Sequence, residues 1–187
     1  MDPKTEEKKT KIIAAAKTEF ANKGFQEANI REIGGAAGAT LGWIYQLFKS
    51  KEGLFIALTE PAVTAFESCF GEQLFEGEFP QTLKTSIESM LDAAFDDPDS
   101  IKLLSNAKDS PRQAFLQQLA EQCAQNVQKH AEKSSVTESH LAMLFHITFI
   151  ALMDITVQGM TRADAKAFLP VLCSFIIAGW EKALQVN

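Results

Sequence analysis

With 187 residues, 46% of them apolar, the chain can bury a sizeable core, either as one domain or as a small domain beside a larger one. The formal net charge of −6 excludes a phosphate-binding surface spread over the whole molecule, but the charge is uneven. Residues 1–53 carry nine Lys/Arg against seven Asp/Glu, and residues 54–187 carry nine against seventeen, so any DNA contact is expected in the first fifty or so residues. Cys69, Cys123 and Cys173 are odd in number, far apart and without a CxxC. They argue against a disulfide framework or a zinc site and for a reducing, cytoplasmic compartment. The opening MDPKTEEKKTK lacks the apolar stretch of a secretory signal.

Apolar residues recur at helical spacing nearly throughout, with no strand-type alternation, repeat or low-complexity tract, which predicts an all-α protein of about nine helices. A first helix is expected over about 5–23, with Ile12, Ala16 and Phe20 inward and Gly24 as C-cap. At its N-terminal end, Lys8, Lys9 and Lys11 read either as a flexible arm reaching a minor groove or as a solvated tail. Asn29 begins a second helix as N-cap, Glu32 three residues on completes a capping box, and the helix ends near Ala37-Gly38. Thr40 caps a short helix through Gln46, with Ile44 and Phe48 inward. Ser50 caps a fourth helix carrying Leu54, Leu58, Ala62, Ala65, Phe66 and Cys69, in which Pro61 is expected to cause a kink or a break.

Further along, Phe79-Pro80 opens a helix to about Phe95, and Asp97-Pro98 a short one to about Asn106. Ser110-Pro111 is expected to open a long helix through about Glu132. The run from Leu141 to Met160 approaches the length of a membrane span, but it contains His146 and Asp154 and lacks a basic flank, which favours a buried helix and no membrane partner. Thr161, with Asp164 three residues later, caps a last helix bent at Pro170, with Phe168, Leu172, Phe175, Ile176 and Trp180 as its stripe. Helices apolar on every side must be covered on every side. A second copy packed on the last two would do this as a four-helix interface, which favours a homodimer; a central core helix in a monomer is the alternative.

Residues 24–54, GFQEANIREIGGAAGATLGWIYQLFKSKEGL, contain two short capped helices joined by Ala37-Gly38-Ala39. Gly38 supplies the left-handed turn, and small residues at Gly34, Gly35, Ala36 and Ala39 permit a close crossing. A helix of about six residues is not stable alone, so it makes sense as an element presented by a scaffold into a groove. Thr40 and Tyr45 offer hydroxyls to phosphate oxygens, Lys49 and Lys51 add charge, and helix-start amides favour phosphate. The segment lacks Arg, Lys and Asn as base readers, which shifts weight to thymine methyl contacts from Leu41 and Trp43 and to DNA shape.

The pieces IIAAAKTEFANKGF, IREI and AAGAT-G-IY-LF-SKEGL, in that order and without gaps over about residues 12–56, resemble the DNA-binding domain of the tetracycline-repressor (TetR) family of bacterial regulators. The resemblance implies a helix-turn-helix domain over 1–53 and a helical effector-binding and dimerisation domain over 54–187. It places Thr40, Leu41, Gly42, Trp43 and Tyr45 on the recognition helix against operator DNA. It also sets Asn29 where the family usually has Thr or Ser, Arg31 on the preceding helix near the DNA backbone, and Lys51 at a phosphate. Gly34-Gly35 replaces a usual alanine, and Trp43 is large for a base-facing position. The implied function is a non-enzymatic regulator, a repressor released by a small-molecule effector. Phe66, Phe70, Met90, Phe95, Phe115, Phe145, His146 and Phe149 are candidate pocket residues for an apolar or aromatic ligand, although aromatics at this spacing equally form plain core and His146 suits a hydrogen-bonded core histidine. No metal site and no cofactor are expected: there is no Glu-x-x-His, P-loop, dinucleotide fingerprint or nucleophile elbow. A helical homodimer that binds a small molecule or protein without contacting DNA is the competing function.

Overall fold

A computed structural model describes residues 3–69, 78–106, 108–130 and 137–184, and within them there are nine helices and no strand. They are α1 (Pro3–Glu27), α2 (Ile30–Ala37), α3 (Leu41–Phe48), α4 (Lys51–Cys69), α5 (Phe79–Asp96), α6 (Pro98–Ser105), α7 (Phe115–His130), α8 (Glu138–Val157) and α9 (Arg162–Leu184). The chain forms two compact units: Met1–Pro61 with Asp99–Gln113, and Ala62–Pro98 with Ala114–Asn187. The boundary expected after residue 53 therefore falls within α4, and the first unit also takes in most of α6 and the turns that follow it.

In the first unit, α1 presents Ile12, Ala16 and Phe20, spaced by four, to Ile30 and Ile33 of α2, Ile44 and Phe48 of α3, and Leu54, Phe55 and Leu58 of α4. Leu103 of α6 closes this core. The rings of Phe20, Phe25 and Phe55 pack edge-to-face and stacked, with centroids 5.1–5.9 Å apart. α1 breaks at Gly24 (φ 75°, ψ 173°) and resumes for one turn to Glu27. It begins at Pro3, so Lys8, Lys9 and Lys11 stand on helix and not on a flexible arm. Pairs one turn apart, Glu7 with Lys11 (2.7 Å) and Glu19 with Lys23 (2.9 Å), support it.

Turn residues 108–113 are tied down within this unit: Gln26 Nε2 donates to the Asp109 carbonyl (2.7 Å), and Arg112 donates to Thr59 Oγ1 and pairs with Glu60. These turns replace the first part of the helix expected from Ser110-Pro111. The Ser110 hydroxyl does accept the Arg112 amide (3.1 Å), but α7 starts only at Phe115. α4 neither splits nor ends at Pro61. A single proline removes one donor and leaves the Ala57 carbonyl without its helical partner; packing of Leu54, Phe55, Leu58, Ala62, Val63 and Phe66 on the buried side outweighs that loss.

In the second unit, α8 packs along α7 and against α5, and α9 packs against α5. Leu83, Ile87, Met90 and Leu91 of α5, Leu119, Cys123 and Val127 of α7, and Leu141, Phe145, Phe149 and Leu152 of α8 are buried. α8 is long and apolar enough to cross a membrane by length and composition, yet one side of it is core. Thr161 caps α9 as expected, accepting the Asp164 amide (3.1 Å) and donating to its carboxylate (2.6 Å). α9 runs through Pro170, and its buried stripe is Ala165, Leu169 and Cys173. Two of the residues expected inward, Phe168 and Phe175, point outward instead; Leu172 and Ile176 are half-buried, and the Trp180 side chain lies outside the described residues. The helix is apolar on two faces, and spacing alone does not rank them.

Candidate nucleic-acid interface

The interface is built by caps. Asn29 Oδ1 accepts the Arg31 amide at 2.9 Å and starts α2. The capping box differs from the expected one: the Asn29 amide donates to Glu19 Oε1 of α1 (3.0 Å), while Glu32 is drawn to Lys23 (2.6 Å). Glu19 therefore serves as both cap and inter-helix tie. Its hydrogen bond to Lys23 holds its carboxyl below the usual range, while its bonds with Glu32 and Glu19 raise Lys23 above its usual value.

Gly38 closes α2 in the left-handed region (φ 62°, ψ 33°), and its amide returns to the carbonyls of Gly34 and Gly35. A Cβ on Gly34 would stand 2.8 Å from the Ala39 carbonyl oxygen, whose amide donates to the Gly34 carbonyl at 2.9 Å. Gly34 is thus required by the close approach of α2 and the turn. Gly35 is exposed with open space around it and costs helix stability without that return, roughly 1 kcal/mol.

Thr40 Oγ1 accepts the Trp43 amide (3.3 Å) and opens α3, which runs two residues beyond the expected Gln46. Ile44 and Phe48 are buried, Leu41, Trp43 and Leu47 half-buried, and Thr40, Gly42, Tyr45 and Gln46 exposed, with Tyr45 at 47%. The presented face is therefore hydroxyl, amide and bare backbone. Asn29, Arg31, Leu41 and Tyr45 line a common open concavity of about 500 Å³, which brings together four of the nine residues expected at DNA. Arg31 is exposed beside α3.

The lysines are more constrained than spacing suggests. Lys49 has a positive φ of 69° as the C-cap of α3, and its ammonium donates to the Gln46 carbonyl (3.1 Å). The Lys51 ammonium donates to the Gln26 carbonyl (2.8 Å) and stands 5.1 Å over the Phe25 ring, bracing the α1–α2 elbow. One residue escaped sequence reasoning, and another was read in the wrong setting, as part of a flexible arm or solvated tail. Gln46 is an exposed amide on α3; Gln can pair with adenine in the major groove, and its place beside Tyr45 was the available signal. Lys8 lies with its ammonium 4.6 Å from the Trp43 ring centroid, a contact across 35 residues that no local pattern carries.

The expected effector residues separate into different environments. Phe66, Met90, Phe145 and Phe149 are wholly buried and Phe115 nearly so, with the Phe145 and Phe149 rings 5.9 Å apart. Phe95 is half-buried with the Arg162 guanidinium 5.6 Å above its ring, and Phe70 lies outside the described residues. His146 lines an open groove of about 700 Å³ between α7 and α8, together with Gln117, Ala120, Glu121, Glu138 and Met143. Its Nδ1 is buried with no hydrogen-bond partner among the described residues, unlike the bonded core histidine expected. Among the described residues no cluster of His, Cys, Asp and Glu could hold a metal ion.

Two helices set across one another by a glycine turn, the second short and outward-facing, define a helix-turn-helix protein of the nucleic-acid-binding kind. Residues 12–58 match the family described as bacterial regulatory proteins, tetR family. The whole fold resembles a TetR family transcription regulator from Marinobacter aquaeolei VT8 (16% identity, 95% of this chain and 97% of that one, TM-score 0.70). It also resembles the fatty acid degradation regulator FadR from Bacillus halodurans (17%, 91% and 98%, 0.69) and a TetR-like transcriptional regulator from Rhodococcus sp. RHA1 (20%, 93% and 96%, 0.64). The family match covers residues 12–58, and the likeness of the whole chain to these solved structures is one of fold.

Proposed function

We propose that the protein is a cytoplasmic, non-enzymatic repressor that binds operator DNA as a homodimer through α3 and is released by an apolar small molecule. The observation that carries this reading is the outward face of α3, where Tyr45, Gln46, Gly42 and Thr40 are exposed on a helix whose other side is anchored by Ile44 and Phe48. In the proposed roles, Leu41, Gly42, Trp43 and Tyr45 face the major groove. Thr40, Arg31 and the amides near Asn29 meet phosphates, with Lys49 and Lys51 contributing charge from braced positions.

The homodimer is supported by apolar side chains that a single copy leaves in water. On α8, Met143, Ile147, Ile150 and Val157 lie on one face at steps of four, three and seven; on α9, Phe168, Val171 and Phe175 do the same, with Phe175 80% exposed. A second copy would cover both faces at once. For the effector, the buried aromatics of the second unit supply an apolar interior and the His146 groove a polar anchor. Release follows if ligand binding favours a separation of the two α3 helices that does not match half-sites roughly 34–36 Å apart.

The test is a binding titration of the purified protein on its upstream promoter fragment over a range of salt, with and without apolar ligands that include fatty acyl chains. Salt-dependent binding by an assembly twice the 20.6 kDa chain mass, weakened roughly ten-fold or more by Tyr45→Ala with the dimer intact, is expected. Ligand binding with no DNA binding at any salt would favour the module without DNA contact.

A further inference from the structure

We infer that Lys8, held over the indole of Trp43, is an operator phosphate contact that supplies the cation α3 lacks; the inference rests on the DNA-binding reading above. From Leu41 to Phe48 the helix contains no Lys or Arg, so any cation beside it comes from elsewhere in the chain: Arg31 of α2 stands at the concavity it shares with Leu41 and Tyr45, and a second cation is needed at Trp43. The nearby lysines are engaged: Lys49 with the Gln46 carbonyl, Lys51 with the Gln26 carbonyl, Lys11 with Glu7 and Lys23 with Glu19 and Glu32. Lys9 stands 4.0 Å from Glu6. Lys8 differs in its partner, since the Trp43 ring holds the ammonium 4.6 Å from its centroid with no countercharge among the described residues.

That difference has a chemical consequence. A carboxylate neutralises a lysine, whereas an aromatic face fixes its position and leaves its charge and its outward N–H groups available for a phosphate oxygen. Trp43 adjoins exposed Gly42 and, one turn on, exposed Gln46, so the cation it holds stands at the edge of the presented face. This also accounts for a tryptophan at a place where its bulk suits base reading poorly: it is a platform for Lys8. Trp43 is a positioning residue, and Lys8 is the contact.

The test compares Lys8→Gln, Lys11→Gln and Trp43→Leu in the full-length protein by DNA titration across salt, with thermal melts to confirm folding. Lys8→Gln is expected to reduce the slope of log affinity against log salt by roughly 0.9 for each protomer that loses a phosphate contact. It should weaken binding about ten-fold or more at low salt, equally for operator and unrelated DNA. Lys11→Gln, whose lysine is already paired, should leave the slope unchanged. Trp43→Leu should lower the slope in the Lys8 background and change it little when Lys8 is already Gln. A folded Lys8→Gln protein with wild-type slope and affinity overturns this inference alone. A wild-type protein that binds no DNA overturns the functional reading and this inference with it. A Trp43→Leu loss that persists undiminished in the Lys8→Gln background overturns the platform role.

Discussion

Helix α3 and the pair α8–α9 both put large side chains into water, but of opposite chemistry. α3 is short and one-sided: Ile44 and Phe48 are spent on the core, and what remains outside is hydroxyl, amide and backbone. α8 is long and two-sided: Leu141, Phe145, Phe149 and Leu152 are core, while Met143, Ile147 and Ile150 remain outside with nothing polar to offer. The first surface suits a hydrated, hydrogen-bonding partner such as a DNA groove, and the second suits only another apolar surface. Exposure alone does not distinguish them. The chemistry of what is left over after the core is built does.

The strongest way to break the contrast is to charge the apolar face. Ile147→Asp would bury an unpaired carboxylate in each half of a symmetric interface, at roughly 3–5 kcal/mol apiece. Sedimentation should then show monomer, with operator affinity down about a hundred-fold or more from lost bivalency. A stable dimer would place the interface elsewhere. Next in size, Phe55→Ala removes one ring of the aromatic cluster behind α3 and should cost about 4 kcal/mol in urea unfolding. Gly34→Val acts on the presentation of α3, forcing atoms against the Ala39 carbonyl at a cost of about 1–3 kcal/mol. Its DNA affinity should fall by more than the stability loss explains, because the crossing of α2 and α3 is displaced.

The smallest effect is expected on the buried side of α7. Burial pushes the Cys123 thiol up to about 12 from 9.0, so the folded chain keeps a proton that the unfolded chain loses. Its contribution is fully present below pH 9 and is lost as pH rises toward 12. Cys123→Ala should flatten that alkaline loss in urea midpoints, and native Cys123 should resist thiol reagents at pH 8. Rapid labelling of native Cys123 would show that this side of α7 is open.

Local signals proved readable where one side chain satisfies its own backbone. Asn29, Gly38, Thr40 and Thr161 each cap or turn where their neighbours in sequence demand it. Choices settled by distant partners were not readable. Glu32 fits a capping box by spacing, but Lys23 competes for it and Glu19 takes its place. Pro61 allows a kink or a break by sequence, and α4 continues through it, as α9 does through Pro170, where a bend and no break is expected. On α9 the outward stripe is as apolar as the inward one, so periodicity chose Phe168 and Phe175 for a core formed by Ala165, Leu169 and Cys173. The same limit applies to the effector residues, since aromatic spacing marks core and pocket alike. Lys8 and Trp43 meet only after α1 and α3 are packed.

Hydroxyl-radical footprinting of the purified protein on its upstream DNA tests the pairing of two α3 helices most directly. Two protected patches on one face of the duplex, separated by one helical turn or a whole multiple of it and lost together in Tyr45→Ala, are the expected result. A single patch, or protection unchanged by Tyr45→Ala, would contradict the account.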